Sequence, residues 1–410
     1  MSGHTLAFSL PQFITSLVVI FVIINLALLA AAYFILLERR ISAWIQDRIG
    51  PNRVGPLGLL QPIADGLKLL FKEDYIPTGI DRGLFFLAPA IAVFTATIGF
   101  AIIPWAGTLD LSTVPFTDSL DGSVKIMAAD INIGLVYLVA TASLGVYGVT
   151  LGGWASNNKY SFFGGLRAGA QMVSYEIPMG IALLCIILTA GTIRADHIVA
   201  LQLHGQWFLL DQPLAAILFY TCMLAEANRA PFDLPEAEQE LVGGFHTEYS
   251  SMKWTLYFLG EYTHLFVGSA FFTVLFLGGW SLNPFFAYDL PVAAGFWIIL
   301  LQFAVVLAKI LALVILTMAV RWTLPRFRFD QLMRLAWEGM IPTALLLLLM
   351  TSLFVFLGWT EYLFFGSLAA LILILILYPA LPKQTDPNHR VPLIGSRFSP
   401  LHDVERAADD

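Results

Sequence analysis

The residues of this chain best suited to chemistry are carboxylates, and most of them crowd into one stretch. From Glu226 to Tyr249 the sequence reads EANRAPFDLPEAEQELVGGFHTEY. It sets Glu226, Asp233, Glu236, Glu238, Glu240 and Glu248 against one Arg, Arg229. Carboxylates held close together cannot all ionise easily, so some of them keep a proton near neutral pH. Pro231 and Pro235 lack an N–H and restrict the residues before them, which stops the incoming helix. Beyond them Glu236 and Glu240 stand one helical turn apart and can share a face. A solvated acidic loop is the plain alternative. Two further acids, Glu176 and Glu261, lie within hydrophobic segments, where ionisable groups face a functional interior. Together these features point to proton handling at a membrane.

Hydrophobic residues make up 58% of the 410, and 12% are charged. Mean hydropathy is +0.78. These values describe an all-α, polytopic membrane protein. A net charge of −7 gives no reason to expect nucleic acid. The two cysteines, Cys185 and Cys222, lie in predicted helices without CxxC spacing, which argues against a disulfide framework or an iron–sulfur cluster on this chain. Of seven histidines only His264 falls clearly within a hydrophobic run, so a bis-histidine haem is not expected. Neither GxGxxG nor a Walker A sequence occurs, so nucleotide binding is not supported, and no metal site is expected. The first hydrophobic run lacks a basic leader and is too long for a cleavable signal peptide.

Nine runs are long enough to span a bilayer, near 12–37, 84–104, 127–151, 172–192, 212–230, 253–278, 294–320, 340–359 and 361–381. The expected fold is eight core transmembrane helices plus a ninth, the last two forming a tight hairpin. Of 22 Lys and Arg, only Lys125 and Arg194 fall outside one set of loops, and Lys309 lies within the seventh run. The positive-inside rule then places the N-terminus outside, with the odd-numbered loops and the C-terminus cytoplasmic. Residues 1–381 are read as one transmembrane domain. The first cytoplasmic loop covers 38–83, the acidic loop 226–252, and a polar tail 382–410, expected to be extended or partly disordered.

In the first loop Leu60, Ile63, Ala64, Leu67 and Phe71 recur at helical spacing, with Gln61, Asp65, Lys68 and Lys72 as a separate polar stripe. This predicts an interfacial amphipathic helix, which either meets lipid or forms a doorway. Asp130 reads as a solvated outer terminus. Lys309 reads as a cation that snorkels or pairs with a buried acid. The segment RWTLPRFRFDQLMRLAWE alternates Arg with aromatics, which suits a headgroup surface or an acidic partner.

Several segments together resemble the quinone-site membrane subunit of respiratory complex I, the H-type subunit of bacterial NADH-quinone oxidoreductase. They are ERRISAWIQDRIGPNRVGPLGLLQPIADGLKLLFKE, WASNNKYSFFGGLRAGAQMVSYE, EANRAPFDLPEAEQELVGGFHTEYSS, FLGEY and RWTLPRFRFDQLM. The resemblance implies a bacterial inner-membrane subunit that walls the quinone tunnel and takes part in a proton-translocating reductase. Quinone would be the shared substrate, reduced by an iron–sulfur cluster of a neighbouring subunit. Partners would be the cluster-bearing and quinone-site subunits of the peripheral arm, the small membrane-arm subunits, and lipid. Carried over residue by residue, Arg39, Arg48, Asp65, Lys68, Phe232 and Arg229 stand by the quinone. Asp233, Glu236, Glu238, Glu240, Glu226, Glu248, Glu176 and Glu261 form the proton-coupling set. Glu338 departs from the family pattern, which has Lys there, and the ninth run exceeds the eight-helix core. Other readings are the equivalent subunit of a related donor-driven quinone reductase or membrane-bound hydrogenase, a free-standing proton or cation transporter, and a structural anchor. The transporter would need inverted repeats, and none is evident. The anchor leaves Glu176 and Glu261 without a role.

The charge asymmetry makes a direct prediction. Reporter fusions at Gly107, Asn157 and Gly205 should read outside, inside and outside, and the reverse order would overturn the orientation.

Overall fold

The structure is a computed structural model and describes residues 10–114, 122–284 and 290–377. In chain order its helices are α1 Leu10–Ile45, α2 Gln61–Leu70, α3 Arg82–Ile98, α4 Gly134–Ser143, α5 Gly145–Ala155, α6 Lys159–Ala190, α7 Ala195–His204 and α8 Phe208–Asp211. They continue as α9 Pro213–Glu226, α10 Glu238–Leu241, α11 Ser251–Phe276, α12 Phe296–Thr323, α13 Phe329–Arg334, α14 Ile341–Phe356 and α15 Leu363–Leu377. Among the described residues seven helical stretches are long and apolar enough to cross a membrane. They are Leu10–Ile45, Arg82–Ile102, Gly134–Ala155, Lys159–Ala190, Ser251–Phe276, Phe296–Thr323 and Phe329–Phe356. Pro213–Glu226 and Thr360–Ile376 are shorter apolar helices. The chain is a polytopic all-α membrane protein.

The helices form where apolar runs meet local start and stop signals. Asn158 caps α6 by accepting the Tyr160 N–H at 2.9 Å, and Gly191 ends it in the left-handed conformation at φ 65°. In α1, Ile23, Ala27, Ala31 and Phe34 are buried at helical spacing, while Phe21 and Leu29 are exposed. The most enclosed of the spanning candidates is α11. It packs against α1, α3, α9 and α12, so its side chains reach most of the interior.

Four features differ from the sequence reading. The third run is two helices, α4 and α5, broken at Leu144. The fifth run stops being helical at Glu226, before the first proline. Glu236 and Glu240 do not share a helix face, because α10 starts only at Glu238 and Ala237 before it has non-helical ψ 92°. A three-stranded sheet occupies the loops after α3 and before α12. Its β1 (Thr108–Asp110) pairs antiparallel with β2 (Ser123–Lys125) and parallel with β3 (Ala293–Ala294).

The acidic loop folds back on itself at Gly244, which has φ 59°. A Cβ there would lie 1.6 Å from the Pro235 carbonyl oxygen, so only glycine allows this closure. Met1–Ala370 forms one compact unit. The second unit is described only over Leu371–Leu377, the end of α15. The polar tail 382–410 lies outside the described residues.

Candidate functional site

The site begins where α9 ends. After Glu226 the backbone turns at Asn228, with φ 49°, and runs through a cis Ala230–Pro231 bond. The turn carries Arg229 into the interior, where it is 3% exposed. Its Nη1 donates to Glu38 Oε2 of α1 at 2.7 Å, and its Nε lies 2.7 Å from Glu261 Oε1 of α11. The guanidinium carbon stands 4.1 Å from the centre of the Tyr262 ring. Tyr262 in turn donates its hydroxyl to Glu38 at 2.7 Å, and Arg321 of α12 donates to the other Glu38 oxygen. A buried cation is tolerated when it is paired and hydrogen-bonded, and here two carboxylates and an aromatic face surround it. Arg229 Nη2 has no hydrogen-bond partner among the described residues.

A second layer lies in the loop. Asp233 accepts from Arg326 at 2.7 Å, and Arg326 also reaches Gln239 at 2.8 Å. Burial raises the Asp233 carboxyl above its ordinary range, with Arg326, Arg321 and Arg229 pulling the other way. Glu236 is raised further, first by burial and then by the charges of Glu261 and Asp233, against Arg229 and Arg321. His246 Nδ1 lies 3.8 Å from Glu236 Oε1. Burial lowers His246 to about 4, so near neutral pH the imidazole side of this contact is uncharged.

Three spaces adjoin these groups. A cavity of about 40 Å³ is bordered by Glu226, Glu236, Glu261 and His264, large enough for water by the one-probe criterion. A neighbouring space shares Glu226 and His264 and runs between Phe219 and Phe271. The third is an apolar cavity of about 190 Å³ between α1, α2 and α11. Arg39, Gln61 and Asp65 line it on one side, and Trp254, Phe258 and Tyr262 on the other. Arg39 pairs with Asp65 at 2.8 Å, and Gln61 donates to the same carboxylate at 2.9 Å. An apolar cavity of roughly 150 Å³ admits a benzene-sized ring, so this one is wide enough for an aromatic or quinonoid headgroup. Tyr262 belongs to both this wall and the Arg229 cluster.

A family model described as NADH dehydrogenase matches residues 17–352. The chain belongs to this family. It is 44% identical over 340 residues to the first H-type NADH-quinone oxidoreductase subunit of Cytophaga hutchinsonii, covering 82% of this chain and 95% of that one. It is 47% identical over 325 residues to the H-type subunit of Protochlamydia amoebophila, covering 79% and 93%. The second H-type subunit of Geobacter metallireducens is 44% identical over 362 residues, covering 87% and 99%. The last helix, α15, lies beyond the segment matched by the NADH dehydrogenase family model.

The residues singled out in the sequence separate into groups. Arg229, Asp233, Glu236 and Glu261 come together, and Glu226 joins them across the small cavity. Glu176 sits in α6 with a buried oxygen that has no hydrogen-bond partner among the described residues. Arg39 and Asp65 line the apolar cavity, while Lys68 and Glu238 line a polar cleft beside it. Glu240 instead pairs with Arg167 at 2.6 Å, and Glu248 accepts from Asn158 at 2.6 Å. Arg48 is exposed and donates to Gln46. Phe232 packs between Tyr175 and Phe327.

Other expectations change. The Arg-aromatic segment meets an acidic partner within the chain, since Arg321 and Arg326 hold Glu38 and Asp233. Asp130 is exposed, in line with a solvated position, and also pairs with Lys125 at 2.8 Å and Arg194 at 2.6 Å. Lys309 donates to the carbonyls of Leu277, Gly279 and Ser281 beyond the end of α11 and lies over Trp207. Glu338 is exposed. Glu38 and Tyr262 carry weight that the sequence reading did not give them.

Two outcomes follow from the electrostatics. Arg229→Met leaves Glu38 and Glu261 without their shared cation and should cost about 3–5 kcal/mol. Arg167→Met breaks an exposed pair and should cost less than about 1 kcal/mol. Thermal unfolding in detergent compares them, and equal losses would contradict the cluster. The second outcome concerns pH. Glu236 has a raised folded-state pKa, so its stabilising contribution is full below the ordinary carboxyl range and fades as pH rises towards that value. Relative to the parent, Glu236→Gln should lose less thermal stability as pH rises above the ordinary carboxyl range. Parallel pH curves would contradict the raised Glu236 carboxyl.

Proposed function

We propose that this chain is the quinone-site membrane subunit of a proton-translocating NADH-quinone oxidoreductase, and that it carries no redox centre of its own. One observation carries the reading. An apolar cavity wide enough for a quinone headgroup shares Tyr262 with a buried cluster of carboxylates and arginines. The relatives named as H-type NADH-quinone oxidoreductase subunits support the substrate and the assembly. In this reading Arg39, Asp65 and Lys68 govern quinone entry from the bilayer, and α2 lies in the interface as an amphipathic doorway helix. Arg48, Phe232 and Arg229 complete the quinone-side set.

The chain's own groups would do the coupling. A change of charge in the quinone cavity acts on Tyr262 and Glu38, and so on Arg229. Arg229 holds Glu261 and lowers the proton affinity of Asp233 and Glu236, so any shift in its pairing redistributes protons among these acids. Glu226, Glu176, Glu238, Glu240 and Glu248 extend the set towards the membrane and the loop surface. We place the protein in a bacterial inner membrane as nine spans over residues 1–381, with the N-terminus outside and the C-terminus cytoplasmic. Its partners are the peripheral-arm subunits that hold the reducing cluster and the quinone pocket, the small membrane-arm subunits, and lipid.

The test uses the assembled complex in vesicles, with assembly checked on native gels. Glu236→Gln should lower quinone reduction and proton uptake together, by about tenfold or more, because a blocked proton step stalls the electron step. Neutralising Arg39 or Asp65 should raise the apparent KM for a short-chain quinone more than it lowers kcat. If Glu236→Gln, Glu238→Gln and Glu240→Gln all assemble and pump like the parent, singly and together, the acidic stretch is only a solvated loop.

A further inference from the structure

The start of α11 is fastened to the doorway helix by groups that would ordinarily serve their own helix. Ser250 occupies the N-cap of α11, where a serine hydroxyl usually accepts an N–H from the first turn. It makes no such cap and instead accepts the Tyr75 N–H at 3.1 Å. Ser251 is buried and has φ 52°, a conformation uncommon for a non-glycine residue. Its hydroxyl donates at 3.0 Å to the Leu69 carbonyl, one of the final carbonyls of α2 that have no partner within their own helix. Lys253 sits in the first turn of α11, the end of a helix that disfavours a cation. It is buried there, 2.7 Å from Asp74, with its ammonium about 5 Å from the rings of Phe85 and Phe86. Three departures from local preference within four residues thus serve contacts from the start of α11 to the end of α2, at Leu69, and to Asp74 and Tyr75 just beyond it.

We propose that Ser250, Ser251 and Lys253 are positioning residues that make α2 and the end of the acidic loop move as one body. The inference rests on the function proposed above. The other wall of the apolar cavity is α11 itself, through Trp254, Thr255, Phe258, Leu259 and Tyr262. The acidic loop enters α11 directly at Tyr249, whose ring stacks on Phe85 at 4.1 Å. An occupant that displaces α2 therefore pulls on the last residues of the acidic loop through this clasp. Entry of quinone and the arrangement of the carboxylates become one mechanical event.

The experiment measures protons translocated per quinone reduced, with kcat and KM for a short-chain quinone, in the reconstituted parent complex and its variants. Ser251→Ala and Lys253→Met should assemble and reduce quinone at close to the parent kcat. Their proton-to-quinone ratio should fall by at least about twofold, the lower range for mutations within a coupling network. Lys253→Arg, which keeps a cation for Asp74 and the two rings, should restore the ratio. Should Lys253→Met fail to assemble, Ser251→Ala carries the test, because it removes one hydroxyl and little volume. An unchanged ratio, or a parallel fall of turnover and pumping, overturns the clasp. A parent complex that reduces quinone without moving protons overturns the proposed function instead.

Discussion

The structure depends on one buried cation. Arg229 stands between Glu38 of α1 and Glu261 of α11, and the three come from distant parts of the chain. Removing any one member leaves an uncompensated charge in a medium that solvates it poorly. The backbone turn after α9 delivers that guanidinium. The arginines at the end of α12 and just after it complete the arrangement, since Arg321 holds Glu38 and Arg326 holds Asp233. The acidic loop is therefore a braced element, with Asp233 and Glu240 matched by Arg326 and Arg167 of the same chain.

This bracing joins two environments. On one side is an apolar space between α1, α2 and α11, lined by aliphatic and aromatic side chains. On the other is a small polar cavity bordered by Glu226, Glu236 and Glu261. Tyr262 and Glu261 are adjacent on α11 yet serve the two sides separately. In the function proposed above, an electrostatic change at the Tyr262–Glu38 hydrogen bond would reach Glu261 through Arg229, and coupling by shared charge and by the proposed α2 clasp would be separate routes between the same two spaces.

Much of the fold was legible in the sequence because membrane spans are long apolar runs: among the described residues seven of the runs overlap helices of spanning length, and the runs near 212–230 and 361–381 overlap shorter apolar helices. The carboxylates were legible because so many acids in one short stretch are unusual beside such runs. Their pairing was not. Glu38 and Arg229 are separated by 191 positions, and Asp233 and Arg326 by 93, distances over which no periodicity operates. In the sequence Glu38 is followed by two arginines, Arg39 and Arg40, whereas its own partners are Arg229, Arg321 and Tyr262. The expected shared face for Glu236 and Glu240 failed because Ala237 leaves the helical region between them. Strands of two or three residues carry too little pattern to announce a sheet.

In the proposed function a charge change in the apolar cavity alters the protonation of the buried carboxyls. Infrared difference spectroscopy of the assembled complex, before and after reduction of bound quinone, tests it most directly. Protonated carboxyl groups absorb apart from carboxylates, so proton loss or gain by these acids appears as a difference band. Such a band is expected in the parent, diminished in Glu236→Gln and in Glu261→Gln and retained in Asp130→Asn, which lies outside the proton-coupling set. A parent spectrum without any carboxyl band, or one that both variants leave intact, would contradict it.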